Sequence, residues 1–163
     1  MGPTQLAWLQ RVPVFGALRE DSLEFLLARS RGVEVAAGDW FFREGDPADA
    51  MYVLERGAVV VQKGWRGQSI ELRRLEPGDC FGEMALLDLH PRSASIRALA
   101  DCSARALAPA ALLDLFERDA EQFALIQMNI GREICRRLRL TDDMLFRARM
   151  GEAVEGKPPL GAV

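Results

Sequence analysis

The apolar positions of the chain change period twice. Over residues 5–10 (QLAWLQ) and 20–29 (EDSLEFLLAR) they recur at helical spacing, with Leu23, Leu26 and Leu27 on one face of the second segment. Pro13 stops the first segment, because proline pushes its predecessor out of helical geometry. From Val33 to Ala108 the pattern breaks into apolar runs of four to six residues, parted by AAGD, REGDPAD, ERG, KGWRGQ, EPGD and LADC. Gly, Pro and Asp at such intervals are turn chemistry, so the runs read as strands. They fall near 33–36, 39–43, 50–55, 58–63, 69–75, 79–81, 94–99 and 103–108. Short antiparallel strands in this number predict an eight-stranded jelly-roll β-barrel, a mainly β fold with flanking helices.

Pro109 then opens a helix (PAALLDLFER), since proline suits the first helical position. From Asp119 to about Met150 the chain holds no proline, and Ile126, Ile130, Ile134 and Leu138 form one i, i+4 row. A helix of this length, about 45 Å at 1.5 Å per residue, overhangs a small barrel. Its isoleucine row has two uses open to it, packing on the barrel or packing on the same row of a second chain, and a homodimer through residues 121–148 is the expectation. The predicted organisation is an N-terminal helical segment (1–32), the barrel (33–108, with a binding cassette at 81–94), C-terminal lid or dimer helices (109–150) and a flexible tail (151–163).

Composition narrows the function. With 21 basic and 24 acidic residues the net charge is −3, which disfavours a surface dominated by nucleic acid. The arginines at 136, 137 and 139 read as a solvated helix face. Cys80, Cys102 and Cys135 are odd in number and irregularly spaced, which fits reduced thiols, and neither a leader nor a membrane span is visible, so a cytoplasmic protein is expected. His90 is the only histidine; metal-assisted hydrolysis needs a cluster of ligands, so no metal, no cofactor and no catalytic residue are expected.

The segment FGEMALLDLHPRSASIRA (81–98) carries the chemistry. An interior does not take a bare carboxylate and a bare guanidinium without partners, and Glu83 and Arg92 lie nine residues apart in an otherwise small and apolar stretch. If EMALL forms a turn or two of helix, its free N–H groups begin at Gly82 and favour an anion. Arg92 offers a planar donor fork to the same anion, and Glu83 accepts from a hydroxyl attached to it. Each residue also has a plainer reading: Arg92 as a rim salt bridge, Glu83 as a helix-start acid, Ser93 as a local backbone partner.

This segment resembles the phosphate-binding cassette of the cyclic nucleotide-binding domain family, through Phe81, Gly82, Glu83, Ala85, Leu86, Leu87, Pro91, Arg92, Ser93 and Ala94. Gly38, Glu44, Gly45 and Gly57 stand at the family's early turn positions, and the resemblance spans about residues 10–145. It implies a 3′,5′-cyclic nucleotide with Arg92 on the phosphate and Glu83 on the ribose hydroxyl. Gly82 and Ala85 would give backbone groups, Ser93 would touch phosphate or base, and Met84 and Ala94 complete the cassette. Val61 and Leu72 would line the base, with Arg73 at its edge. In the catabolite activator group a Thr-Ser pair on the long helix reaches adenine, which implies a base contact from Thr141, here followed by Asp142; where that group continues into a helix-turn-helix domain, a Gly/Pro segment that is either a tail or a linker is expected here. The expected function is a sensor that binds cAMP more tightly than cGMP and passes the signal through its C-terminal helix to an unidentified effector. The alternatives are a sensor fragment of a larger transcription regulator or effector, or a barrel enzyme acting on nucleotides.

Overall fold

The computed structural model describes residues 3–151, so the predicted tail lies outside the described residues except for Gly151. Helix α1 (Pro3–Leu9), a 3-10 turn (Pro13–Phe15) and α2 (Glu20–Ala28) precede β1 (Arg31–Val35), β2 (Trp40–Phe42), β3 (Met51–Arg56), β4 (Val59–Trp65), β5 (Gln68–Leu75) and β6 (Cys80–Phe81). A single turn, α3 (Met84–Leu87), separates these from β7 (Ser95–Ala98) and β8 (Cys102–Leu107), and α4 (Pro109–Arg118) and α5 (Ala120–Arg149) close the chain. The strands form two antiparallel sheets, β1-β8-β3-β6 and β2-β7-β4-β5, the expected jelly roll.

Two cores follow from strand alternation. Strand β3 is buried on both faces: Tyr52 and Leu54 join Val59, Leu75, Phe81, Ile96 and Ala104 between the sheets, while Met51 and Val53 point the other way. There they meet Leu23, Leu26, Leu112, Leu115, Ile126 and Ile130 from the helices. Burying each of the two isoleucines contributes about 1.5–3 kcal/mol. Polar contacts root α5 at the same place. Asp119 caps it by accepting from the Gln122 N–H and also pairs with Arg19, and the buried Asn129 amide donates to the Gly16 carbonyl at 2.8 Å.

The isoleucine row is divided. Ile126 and Ile130 are buried on the barrel side and Ile134 packs against the same core, whereas Leu138 is 57% exposed. At 3.6 residues per turn a strict i, i+4 row drifts around the helix, and alternating steps of four and three stay on one side. The inward stripe is accordingly Ile126, Ile130, Glu133, Arg137, all buried or nearly so. A second stripe with alternating steps, Met128, Gly131, Cys135, Leu138, Asp142 and Leu145, faces away from the barrel.

Strands β4 and β5 make a long hairpin in which Val61 pairs with Arg73 but Gln62 pairs with Glu71. Leu72 is the extra residue of this bulge.

Candidate functional site

Gly82 turns the chain from β6 into α3 with φ +76, a left-handed conformation that costs glycine nothing. A β-carbon there would lie 2.5 Å from Arg92 Nη1, so the position also needs the missing side chain. The turn aims Glu83 inward, where it is 3% exposed. After α3 the chain loops back, and Arg92 enters the barrel wall just before β7 rather than on the strand itself. Its backbone is pinned to the loop after β2, donating to the Asp46 carbonyl and accepting from the Gly45 N–H, both at 2.9 Å.

The Arg92 side chain is 1% exposed and held from one side. Nη1 donates to the Gly82 carbonyl at 3.0 Å, and Nη2 donates to Asp49 Oδ1 at 2.9 Å and to the Ala50 carbonyl at 2.8 Å. The guanidinium lies 4.0 Å from the centre of the Phe42 ring. Its Nε is buried without a hydrogen-bond partner. A buried donor left unpaired carries a desolvation cost of about 1–3 kcal/mol, which an acceptor arriving from outside relieves.

Glu83 is met from the far end of the sequence. Arg137 on α5 donates from Nη1 to Glu83 Oε1 at 2.6 Å, from Nε to Glu133 Oε1 at 3.0 Å, and from Nη2 to the Cys80 carbonyl. Burial works against the Arg137 charge, but Glu83, the Cys80 group and Glu133 outweigh it and hold the pKa above its ordinary value. Burial also pushes the Cys80 thiol up to about 12, against the pull of Arg137.

These groups surround one pocket. Of the residues expected from sequence, Val61, Arg73, Gly82, Glu83, Met84, Arg92, Ser93 and Ala94 line it. Ala85 sits within α3, one residue past Met84. The structure sets two candidates apart from the pocket: Leu72, 45% exposed, is the residue extruded at the β5 bulge, and Thr141 is exposed with its hydroxyl donating to the Arg137 carbonyl at 3.0 Å. Phe42, Leu75, Phe81, Ile96 and Arg137 complete the lining. Arg137 departs from the solvated face expected of the arginine run; its neighbours Arg136 and Arg139 are exposed, but its own side chain is only 11% exposed. The four-then-three spacing from Ile126 was the sequence signal that pointed it inward. Among the described residues no three His, Cys, Asp or Glu side chains group as a metal site, and no helix is long and apolar enough to cross a membrane.

A jelly roll that folds a one-turn helix and its return loop into the barrel wall, setting a buried carboxylate and a buried guanidinium on one pocket, has the architecture of a small-ligand-binding β-barrel domain. The chain matches the family model of the cyclic nucleotide-binding domain over residues 32–119, and it belongs to that family. It is 33% identical over 131 residues to the cyclic AMP receptor protein of Thermus thermophilus, an alignment covering 80% of this chain and 59% of that one. It is 36% identical over 92 residues to the cAMP-dependent protein kinase regulatory subunit of Emericella nidulans, covering 56% of this chain and 22% of that protein. The chain thus spans only part of the curated relatives it matches. Among solved structures, the N-terminal domain of a transcriptional regulator from Streptomyces coelicolor superposes with a TM-score of 0.68 at 32% identity, covering 85% of this chain and 94% of that one.

Proposed function

We propose that this domain is a sensor of a 3′,5′-cyclic nucleotide, that cAMP is its tighter ligand, and that occupancy is passed on through α5. The observation that carries the reading is the unpaired, buried Nε of Arg92 in the same pocket wall as the Glu83 carboxylate. The cyclic phosphate takes the free Nε donor, and the ribose 2′-hydroxyl donates to Glu83. Val61, Leu75, Ile96 and Phe42 offer the apolar surface that a purine needs. The preference for cAMP is supported by the names of two relatives, a cyclic AMP receptor protein and a cAMP-dependent kinase regulatory subunit.

Transmission follows from Arg137. The carboxylate that receives the ribose is also the one that holds α5, so ligand and helix share a partner. A ligand shifts the helix only as far as it binds one helix position better than another. The outward stripe of α5 supports association of two copies, with the effector reading the helix or the dimer.

Titration calorimetry with cAMP and cGMP, on the unmutated chain and on Arg92→Ala, tests the reading. Saturable binding is expected, tighter for cAMP and lost in the variant. Binding that survives unchanged in an Arg92→Ala protein with an intact melting transition overturns it.

A further inference from the structure

The outward face of α5 carries a period that the pocket does not need. Met128, Gly131, Cys135, Leu138, Asp142 and Leu145 follow one another at alternating steps of three and four, the a and d positions of a heptad. Met128, Leu138 and Leu145 are each more than half exposed, so the single chain leaves this seam uncovered. One member breaks the apolar pattern. Asp142 is exposed, and among the described residues it makes no hydrogen bond or ion pair. The charges that face it in the single chain are those of its own helix: Arg139 one turn before, Asp143 beside it and Arg149 two turns on.

The flanking positions decide how two such seams fit. Arg132, Arg139 and Phe146 take position e, and Gln127, Ile134 and Thr141 take position g. Laid parallel, e meets g of the other copy, so each arginine faces Gln127 or Ile134 and no like charges meet. Laid antiparallel with the whole stripe paired, e meets e, and Arg132 faces Arg139 twice over, which is repulsive. The parallel arrangement is therefore favoured. It sets each a residue opposite the same residue of the other copy, Cys135 on Cys135 and Asp142 on Asp142. Two carboxylates opposed in a seam that excludes water do not both keep their charge, and one proton between them turns repulsion into a hydrogen bond.

We propose that association through α5 is proton-linked, two copies taking up one proton from solvent into a hydrogen bond between their Asp142 carboxyl groups. This rests on the association of two copies given above. The dimer then binds a proton that two separate chains do not, so association strengthens as pH falls and weakens as pH rises. Arg139 offers relief from the rim of the seam, but an exposed pair of that kind is screened by salt and contributes little.

Sedimentation equilibrium of the full chain, of Asp142→Asn and of Arg139→Ala, from about pH 8 down to about pH 6, tests this. The parent is expected to associate more tightly by up to about tenfold for each pH unit lowered, the limit for one proton. Asp142→Asn, which keeps a hydrogen-bonding pair without the charge, is expected to dimerise with no such slope. Diamide, which takes up the two thiol hydrogens, is expected to join the parent dimer through Cys135, because Cys80 and Cys102 are buried. The same slope in Asp142→Asn overturns the proposal. So does a parent dimer with no slope, and weaker association of Arg139→Ala then assigns the charge balance of the seam to the arginine. A dimer that gives no Cys135 cross-link also overturns it, since its carboxylates are held apart. Failure of the parent and Asp142→Asn alike to associate at any pH is a separate result that removes the dimer reading itself and leaves nucleotide binding untouched.

Discussion

Arg137 and Glu83 meet at 2.6 Å across 54 residues of sequence, and both side chains are almost wholly buried, at 11% and 4% exposure. The pair joins α5 to the cassette within the pocket. Removing one member of a buried pair leaves the other uncompensated, at a cost of about 3–5 kcal/mol, whereas removing both costs much less. Arg137→Met is therefore expected to lower stability by about 3 kcal/mol, and the addition of Glu83→Gln to recover part of that loss, as read from urea denaturation. Additive losses in the double variant would show that the pair is not coupled.

Gly82→Ala is expected to damage both fold and binding. The left-handed backbone strains any other residue by about 1–3 kcal/mol, and the added carbon displaces Arg92 Nη1, which is 2.5 Å away. A lower denaturation midpoint together with at least a tenfold loss in cyclic nucleotide affinity is the expected pair of results. A variant that is less stable but binds normally would separate the glycine from the placing of Arg92.

The outward stripe of α5 gives the dimer a clean test. Leu138 is exposed and Ile130 is 1% exposed, so the two positions report different things. Leu138→Glu is expected to yield a folded monomer in sedimentation velocity at micromolar concentration, and Ile130→Glu to unfold the helical core. A monomeric parent, with and without nucleotide, removes the dimer.

The thiols predict a pH dependence. The Cys80 pKa rises from 9.0 to about 12 through burial, so the folded state keeps the proton that the unfolded state releases. That stability is fully present below pH 9 and is lost as pH rises toward 12. Tyr52 shifts in the same direction, by burial first and then by the charge of Asp49. The slope of stability against pH above 9 is expected to flatten in Cys80→Ala. At neutral pH a maleimide should label Cys135, which is exposed, and reach Cys80 and Cys102 only on unfolding.

The strands were legible because the turn residues punctuate them: each predicted strand lies within two residues of an observed one, from β1 at Arg31–Val35 to β8 at Cys102–Leu107. Local chemistry also marked the cassette, where Gly82, Glu83 and Arg92 line a common pocket. What sequence did not disclose are meetings over long separations. Asp49 reaches Arg92 across 43 residues, and Arg137 reaches Glu83 only because α5 folds back over the barrel. Leu72, which the family resemblance set beside the base, is the single bulge residue of β5 and stands outside the lining of the pocket, a local irregularity that strand alternation does not disclose. The isoleucine row was drawn at a step of four, and the helix repeat of 3.6 carried its last member, Leu138, away from the barrel.

The anchoring of α5 is lopsided, and a helix held toward one end is a lever that enlarges displacement. Among the described residues its last hydrogen bonds to the cassette region are those of Arg137, and the residues from 138 to 149 extend about 18 Å further. Pivoting at the Asp119 cap, an arm of 30 residues, about 45 Å long, sweeps its tip through about 8 Å for a tilt of about 10°. At Arg137, a little over halfway along, the same tilt moves the helix by only about 5 Å. Such a tilt would move the far end of the helix further than it moves the residues at the pocket.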